Sequence, residues 1–202
     1  MTEHPARRWA RACRCLYHDA PPRMRYDASM STPRPPFLVS TLDVPEKPGS
    51  YPNSDERTGF SRPIGRAAGL VRIGLHVERL PPGQRVSWPH AEEKEEEFVF
   101  VLEGEVDAWI DGALHRMKAG DLAAFPAGTG ICHTFLNNGT AEARLLVGGE
   151  ASKSDNRIFY PQNPGRRADL PWSHWWDDIP LRAQRPHDGK PDALRESESK
   201  KS

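Results

Sequence analysis

The 202-residue chain is poor in several things that would define common protein classes. It has only three cysteines, Cys13, Cys15 and Cys132. That is too few for a disulfide framework, and the odd count suits a reducing, cytoplasmic setting. It has no charge excess, since Lys plus Arg and Asp plus Glu number 28 each. No global field therefore recruits nucleic acid or an anionic membrane. No apolar run approaches the length of a membrane-spanning helix. Proline, by contrast, is abundant: 20 residues is about twice its average share. That composition suits a loop-rich β protein better than a helical bundle.

The ends read differently from the middle. Residues 1–35 carry Arg7, Arg8, Arg11 and Arg14 and many prolines, with no apolar periodicity. The reading is an N-terminal arm; a transit peptide is the alternative, and Met30 the expected natural start. Residues 181–202 hold almost no large apolar side chain and are expected to be disordered. The folded domain is placed at 36–180. Its last part, about 158–180, contains Trp172, Trp175 and Trp176 and is read as an aromatic clasp over an otherwise exposed face.

Within the domain the punctuation is that of short strands. Residues 69–80 alternate Val71, Ile73, Leu75 and Val77 with Arg72, Gly74, His76 and Glu78. The second set reads most simply as an exposed strand face. Residues 98–102 are apolar on both faces, which implies that neither side meets water. Asp111-Gly112 is a strong hairpin signal. Many short strands at even spacing, without helices between them, predict an all-β sandwich or barrel.

Two stretches carry the chemistry. The first is GQRVSWPHAEEKEEEFVFVLEGE over 83–105, and the second GDLAAFPAGTGICHTFLNN over 120–138. Together they resemble the two halves of the cupin signature. Glu97 and Gly104 keep its Glu-to-Gly spacing. His90 falls on the first motif His and Glu92 on the second, while Gly120, Pro126, Gly128, His133 and Asn137 fill the later half. Four residues rather than two separate Gly128 from His133. The resemblance implies a cupin jelly-roll barrel (a double-stranded β-helix) with a divalent metal, Fe, Mn, Zn or Ni, near its mouth.

Parity supports that placement. His90 and Glu92 share one face of an extended segment, and His133, Phe135 and Asn137 share another. Imidazole and carboxylate together make a competent divalent-metal set. The expected ligands are His90, Glu97 and His133. Glu92 is a fourth ligand, a general base beside the metal, or an outward-facing residue. Glu93, Glu95 and Glu96 read as a solvated charge run. Arg72, His76 and Trp88 are candidate substrate-binding residues. Cys132, on the other face from His133, reads as a packed small hydrophobe.

A cupin fold by itself hosts many activities. The reading is a metal-dependent enzyme on a small molecule, of dioxygenase, isomerase or lyase type. The alternatives are a non-catalytic cupin that binds or senses a small ligand, and a structural cupin with none. The doubly apolar strand, and the way similar cupins pair, predict a homodimer.

Overall fold

A computed structural model describes residues 33–200 of the chain. The chain divides into residues 1–34 and 35–202. Cys13, Cys15 and nearly all of the expected N-terminal arm lie outside the described residues.

Among the described residues, eleven short strands run in chain order: β1 (Lys47–Ser50), β2 (Arg57–Arg62), β3 (Ile73–Leu80), β4 (Ala91–Glu92), β5 (Glu97–Glu103), β6 (Glu105–Ile110), β7 (Ala113–Lys118), β8 (Leu122–Phe125), β9 (His133–Leu136), β10 (Ala143–Glu150) and β11 (Ile158–Phe159). A single-turn helix α1 (Ile64–Ala67) follows β2, and α2 (Asp192–Ser199) lies near the C-terminus. One sheet has the order β1-β2-β3-β10-β5-β8, a second β7-β6-β9, and β11 pairs with β4. Every pairing within these sheets is antiparallel. This is the expected jelly-roll barrel. Asp111 and Gly112 take φ of 48° and 82° at the β6–β7 hairpin, the backbone that an Asp-Gly turn supplies.

Apolar side chains from both sheets fill one end of the barrel. Leu80, Val99, Val101, Leu145, Val106, Ala108, Met117, Phe125 and Phe135 form the main buried cluster. Strand parity carries these inward rows toward the other end, where they become polar. Val99 and Val101 lead to Glu97, opposite Gly149, which lies opposite Gly74. Leu80 leads to Glu78 and His76 on the same side of β3. The polar parity of β3, expected to face solvent, is therefore the lumen side.

The outer face of the small sheet is covered by aromatic side chains from the segment after β11. Trp176 packs with Trp109, Cys132, Leu136 and Ala91, while Trp175 joins Trp88 and Tyr160. Trp172 does not take part and is 86% exposed.

The tail corrects an expectation. Residues 181–200 follow a defined path across the β6–β7 hairpin and end in α2. The Arg185 N–H donates to Asp111 O, and the Trp109 indole donates to His187 O at 2.8 Å. Arg85, only 1% exposed, donates to Gly189 O at 2.7 Å while also pairing with Glu56. A lack of apolar side chains predicts disorder only where side chains must do the holding. Here backbone carbonyls satisfy buried donors of the barrel, which would otherwise be left unpaired.

Candidate metal centre

The site begins with backbone pairing. His90 and His133 face each other as an isolated antiparallel bridge, with mutual N–H···O bonds of 3.1 and 2.8 Å. Their ring centroids lie 5.0 Å apart. His90 Nδ1 donates to the Trp88 carbonyl at 2.8 Å, and His133 Nδ1 to the Ile131 carbonyl at 3.3 Å. A carbonyl only accepts, so in both neutral rings the proton sits on Nδ1 and the lone pair on Nε2. Phe125 stacks on His133 at 3.6 Å, nearly parallel, and fixes its plane.

Both Nε2 atoms turn toward Glu97, whose Oε2 lies 3.5 Å from His90 and 3.2 Å from His133. One donor atom from each of the three residues lies within 4.8 Å of the others. Glu97 Oε2 is buried without a hydrogen-bond partner. Two lone pairs and an orphaned carboxylate oxygen repel one another unless something positive lies among them. In the protein alone that something is a proton. Burial would lower His90, but Glu97 and then Glu92 outweigh it and raise His90 to about 9. Burial would raise Glu97, but the two imidazoles hold it well below the usual carboxylate range. Burial keeps His133 below its ordinary value. A divalent cation satisfies the same three atoms, and the carbonyl bonds at Nδ1 are the outer support that metal-bound imidazoles need. The donor set fits a metal.

Glu92 lies close by but is not among those three donors. Its Oε2 accepts from Asn156 Nδ2 at 3.0 Å. Burial, then the charge on Glu97, raises it to about 8. Glu95, read as part of a solvated run, is buried and accepts from the Lys153 N–H. Beside the triad is a void of about 10 Å³ lined in part by Glu92, Glu97, Ile131 and His133. Glu92, Glu95 and Glu97 also line a cavity of about 800 Å³ at the barrel mouth.

Of the other expected site residues, His76 lines this cavity and shares a 2.9 Å hydrogen bond with Ser61 Oγ. Arg72 does not line it. It precedes β3, its side chain is exposed, and only its carbonyl is engaged, by the Ala151 N–H. Trp88 does not line this cavity either: it stacks on Tyr51 at 4.1 Å, donates to Glu56 at 2.9 Å, and reaches the site only through its carbonyl on His90. Asn137 is buried away from the donors, donating to Leu80 O and Ala141 O and so shaping the β9–β10 turn. Cys132 packs on the outer face as expected, its thiol pushed up to about 12 by burial. Sequence reading missed Asn156 and Tyr160, whose ring lies 5.8 Å from that of His90. They flank β11, more than sixty residues from His90, with no spacing signal to flag them.

A jelly-roll barrel with two histidines and a glutamate converging at its mouth defines a class. The Cupin_2 pattern, a cupin domain, matches residues 76–149, a span bounded by the cavity residues His76 and Gly149. A crystal structure of a sugar phosphate isomerase of the cupin superfamily from Silicibacter pomeroyi is 32% identical, with a TM-score of 0.56, over 61% of this chain and 80% of that one. The chain belongs to the cupin superfamily. The polyketide cyclase RemF from Streptomyces resistomycificus shares the fold, at 21% identity and TM-score 0.51 over 69% of this chain and 98% of that one. Polyketide synthase CurC of Streptomyces cyaneus is 33% identical over 106 residues, 52% of this chain and 65% of the relative. Protein SchB of Streptomyces halstedii is 33% identical over 79 residues, 39% of this chain and 55% of that relative. The chain thus spans just under two thirds of the one curated relative and about half of the other.

Proposed function

We propose that this cupin is a metal-dependent enzyme that moves a proton at the carbon beside a carbonyl of a small molecule, in an isomerisation or cyclisation. The observation that carries the reading is the pairing of a buried Glu97 oxygen and two Nε2 atoms turned toward it with a separate carboxylate, Glu92, at the wall of the same cavity. The chemistry supplied by a divalent cation at these donors is Lewis acidity toward a carbonyl oxygen.

The chain's own residues do the rest. Glu97, His90 and His133 provide the donors, oriented by the Trp88 and Ile131 carbonyls. Glu92, held by Asn156 and outside the donor set, takes the proton from the carbon in its ionised form and so becomes the neutral acid. It then returns the proton to a neighbouring atom, or the carbon nucleophile adds to a second carbonyl carbon of the substrate to close a ring and the oxygen of that carbonyl takes the proton back from Glu92. Sugar phosphate isomerisation and polyketide cyclisation, the activities printed for two of the similar proteins, share this step in general chemistry. A lumen whose open end carries Glu78, His76 and Glu92 also suits an enzyme better than a purely structural barrel.

The test is solvent exchange. Incubated in D₂O with a panel of α-hydroxy ketones and β-keto thioesters, the protein is expected to incorporate deuterium beside a carbonyl, read by proton NMR. Glu92→Gln lowers that rate by at least about a hundredfold with metal content unchanged. Exchange equal in Glu92→Gln and wild type contradicts the reading.

A further inference from the structure

The cavity has two chemically opposite ends. Its inner wall carries Glu92, Glu95 and Glu97; its outer rim carries Lys47 and Arg66. Register explains how the rim forms. Lys47 lies opposite Ser61, which lies opposite Glu78, so Lys47 occupies the lumen-facing parity of β1. Arg66 sits on α1, where Gly65 packs so closely on Leu75 that a Cβ there would lie 3.0 Å from the Leu75 Cβ. That contact sets α1 against β3 beside His76. His76, bonded to Ser61 through Nδ1, lies in the same cavity, and the Arg66 charge is near enough to bear on its ring.

What singles out Lys47 and Arg66 is the absence of partners. The arginines nearby are committed: Arg62 to Glu46, Arg79 to Glu46 and Glu142, Arg85 to Glu56 and Arg157 to Glu93 and Asp178. Neither Lys47 nor Arg66 has an ion-pair partner among the described residues, although the cavity also holds Glu78. Two unspent cations at one end and a cation-seeking donor set at the other make a site polarised along its length. Gly74 and Gly149 lie opposite each other in the cavity lining, and neither puts a side chain into it.

We propose that Arg66 and Lys47, with His76 beneath them, form an anion subsite that selects carbonyl substrates bearing a phosphate or carboxylate at the end remote from the reacting carbon. This rests on the proton-transfer reading for the site's inner end, but assigns specificity to residues that take no part in that step. Arg66 supplies the directional contacts, because a guanidinium donates in a fork that matches an oxyanion.

The experiment is titration of the full-length protein, as purified, with inorganic phosphate, followed by calorimetry and by amide NMR shifts, with glycerol as the uncharged control. Phosphate is expected to bind and to shift residues 64–76. Arg66→Ala weakens binding roughly tenfold, and Lys47→Ala by a smaller factor. Both variants retain wild-type metal content and thermal midpoint, since both side chains are exposed. No phosphate binding by the wild type overturns the subsite. So does binding that is unchanged in both variants yet abolished by His133→Ala, which would put the anion at the histidine–glutamate donors. Loss of binding in Arg66→Ala combined with no deuterium exchange by any protein keeps the subsite and removes the proton-transfer reading.

Discussion

Two residues at the cavity show how one local environment divides labour between carboxylates. Glu97 meets two imidazoles and stays ionised; Glu92, held two residues beyond His90 by Asn156, meets burial and the Glu97 charge. Asn156→Ala is expected to lower deuterium exchange by roughly tenfold while leaving metal content unchanged, because it releases the proposed base and none of the three converging donors. Glu78 gives a separate pH signature. Burial, with the Glu97 charge adding, raises it to about 7 from 4.5. The folded state then binds more protons than the unfolded chain between those values, so stability present below about pH 4.5 is lost as pH rises through about 7. Denaturant midpoints of metal-free protein between pH 4.5 and 8 should fall, and Glu78→Gln should flatten the fall by on the order of 2 kcal/mol. An unchanged slope in the variant would exclude Glu78 as its source. The donor residues themselves were legible, because ligand chemistry is written in residue type and parity. Their supporters were not: Asn156 and the Trp88 carbonyl act through placement, and neither an asparagine in a polar loop nor a backbone oxygen leaves a pattern.

Among the elements, β3 and the C-terminal tail, residues 181–200, which straps the β6–β7 hairpin, teach opposite lessons. The period-two alternation of β3 is as the sequence reads it, yet which face is wet is not a local property. Val77 and Leu75 lie on the outer side, and Glu78 and His76 inside, because β10 places Leu145 and Val147 opposite the polar pair. An open barrel mouth reverses the usual apolar-in rule over its last turn of strand. Arg72 has the right parity for the lumen but falls just before the strand begins, whereas Arg66 reaches the cavity from a helix that no periodicity announces. The strap was misjudged because its anchors are hydrogen bonds. Asp111 alone accepts from the Cys132 N–H, Arg182 Nε and Gln184 Nε2. Gly112 beside it has φ of 82°, and a Cβ there would collide with the Arg185 carbonyl. Gly112→Ala is therefore expected to cost on the order of 1–3 kcal/mol in urea unfolding and to expose residues 182–200 to limited proteolysis. Wild-type resistance to proteolysis in that variant would show that the strap does not depend on the hairpin.

For the whole molecule, the outer surface of the larger sheet is the feature without an internal explanation. Phe98 and Phe100 point outward with partial burial, and Leu122 beside them is 60% exposed. No helix among the described residues is long and apolar enough to cross a membrane. We propose that a second copy of the chain covers this face, as the doubly apolar strand led us to expect. Sedimentation velocity should then show a dimer for the wild type and a monomer for Leu122→Glu, and a concentration-independent wild-type monomer would refute the pairing. The barrel as a whole makes sense as a scaffold with an apolar closed end and a polar mouth, and the chemistry we propose for it depends on the three atoms that face one another there. Metal analysis of the purified full-length protein, alongside His133→Ala, tests that dependence most directly. The account predicts close to one divalent metal ion per chain in the wild type and none in the variant. A wild type that stays metal-free after anaerobic reconstitution with iron, manganese, zinc and nickel would contradict it.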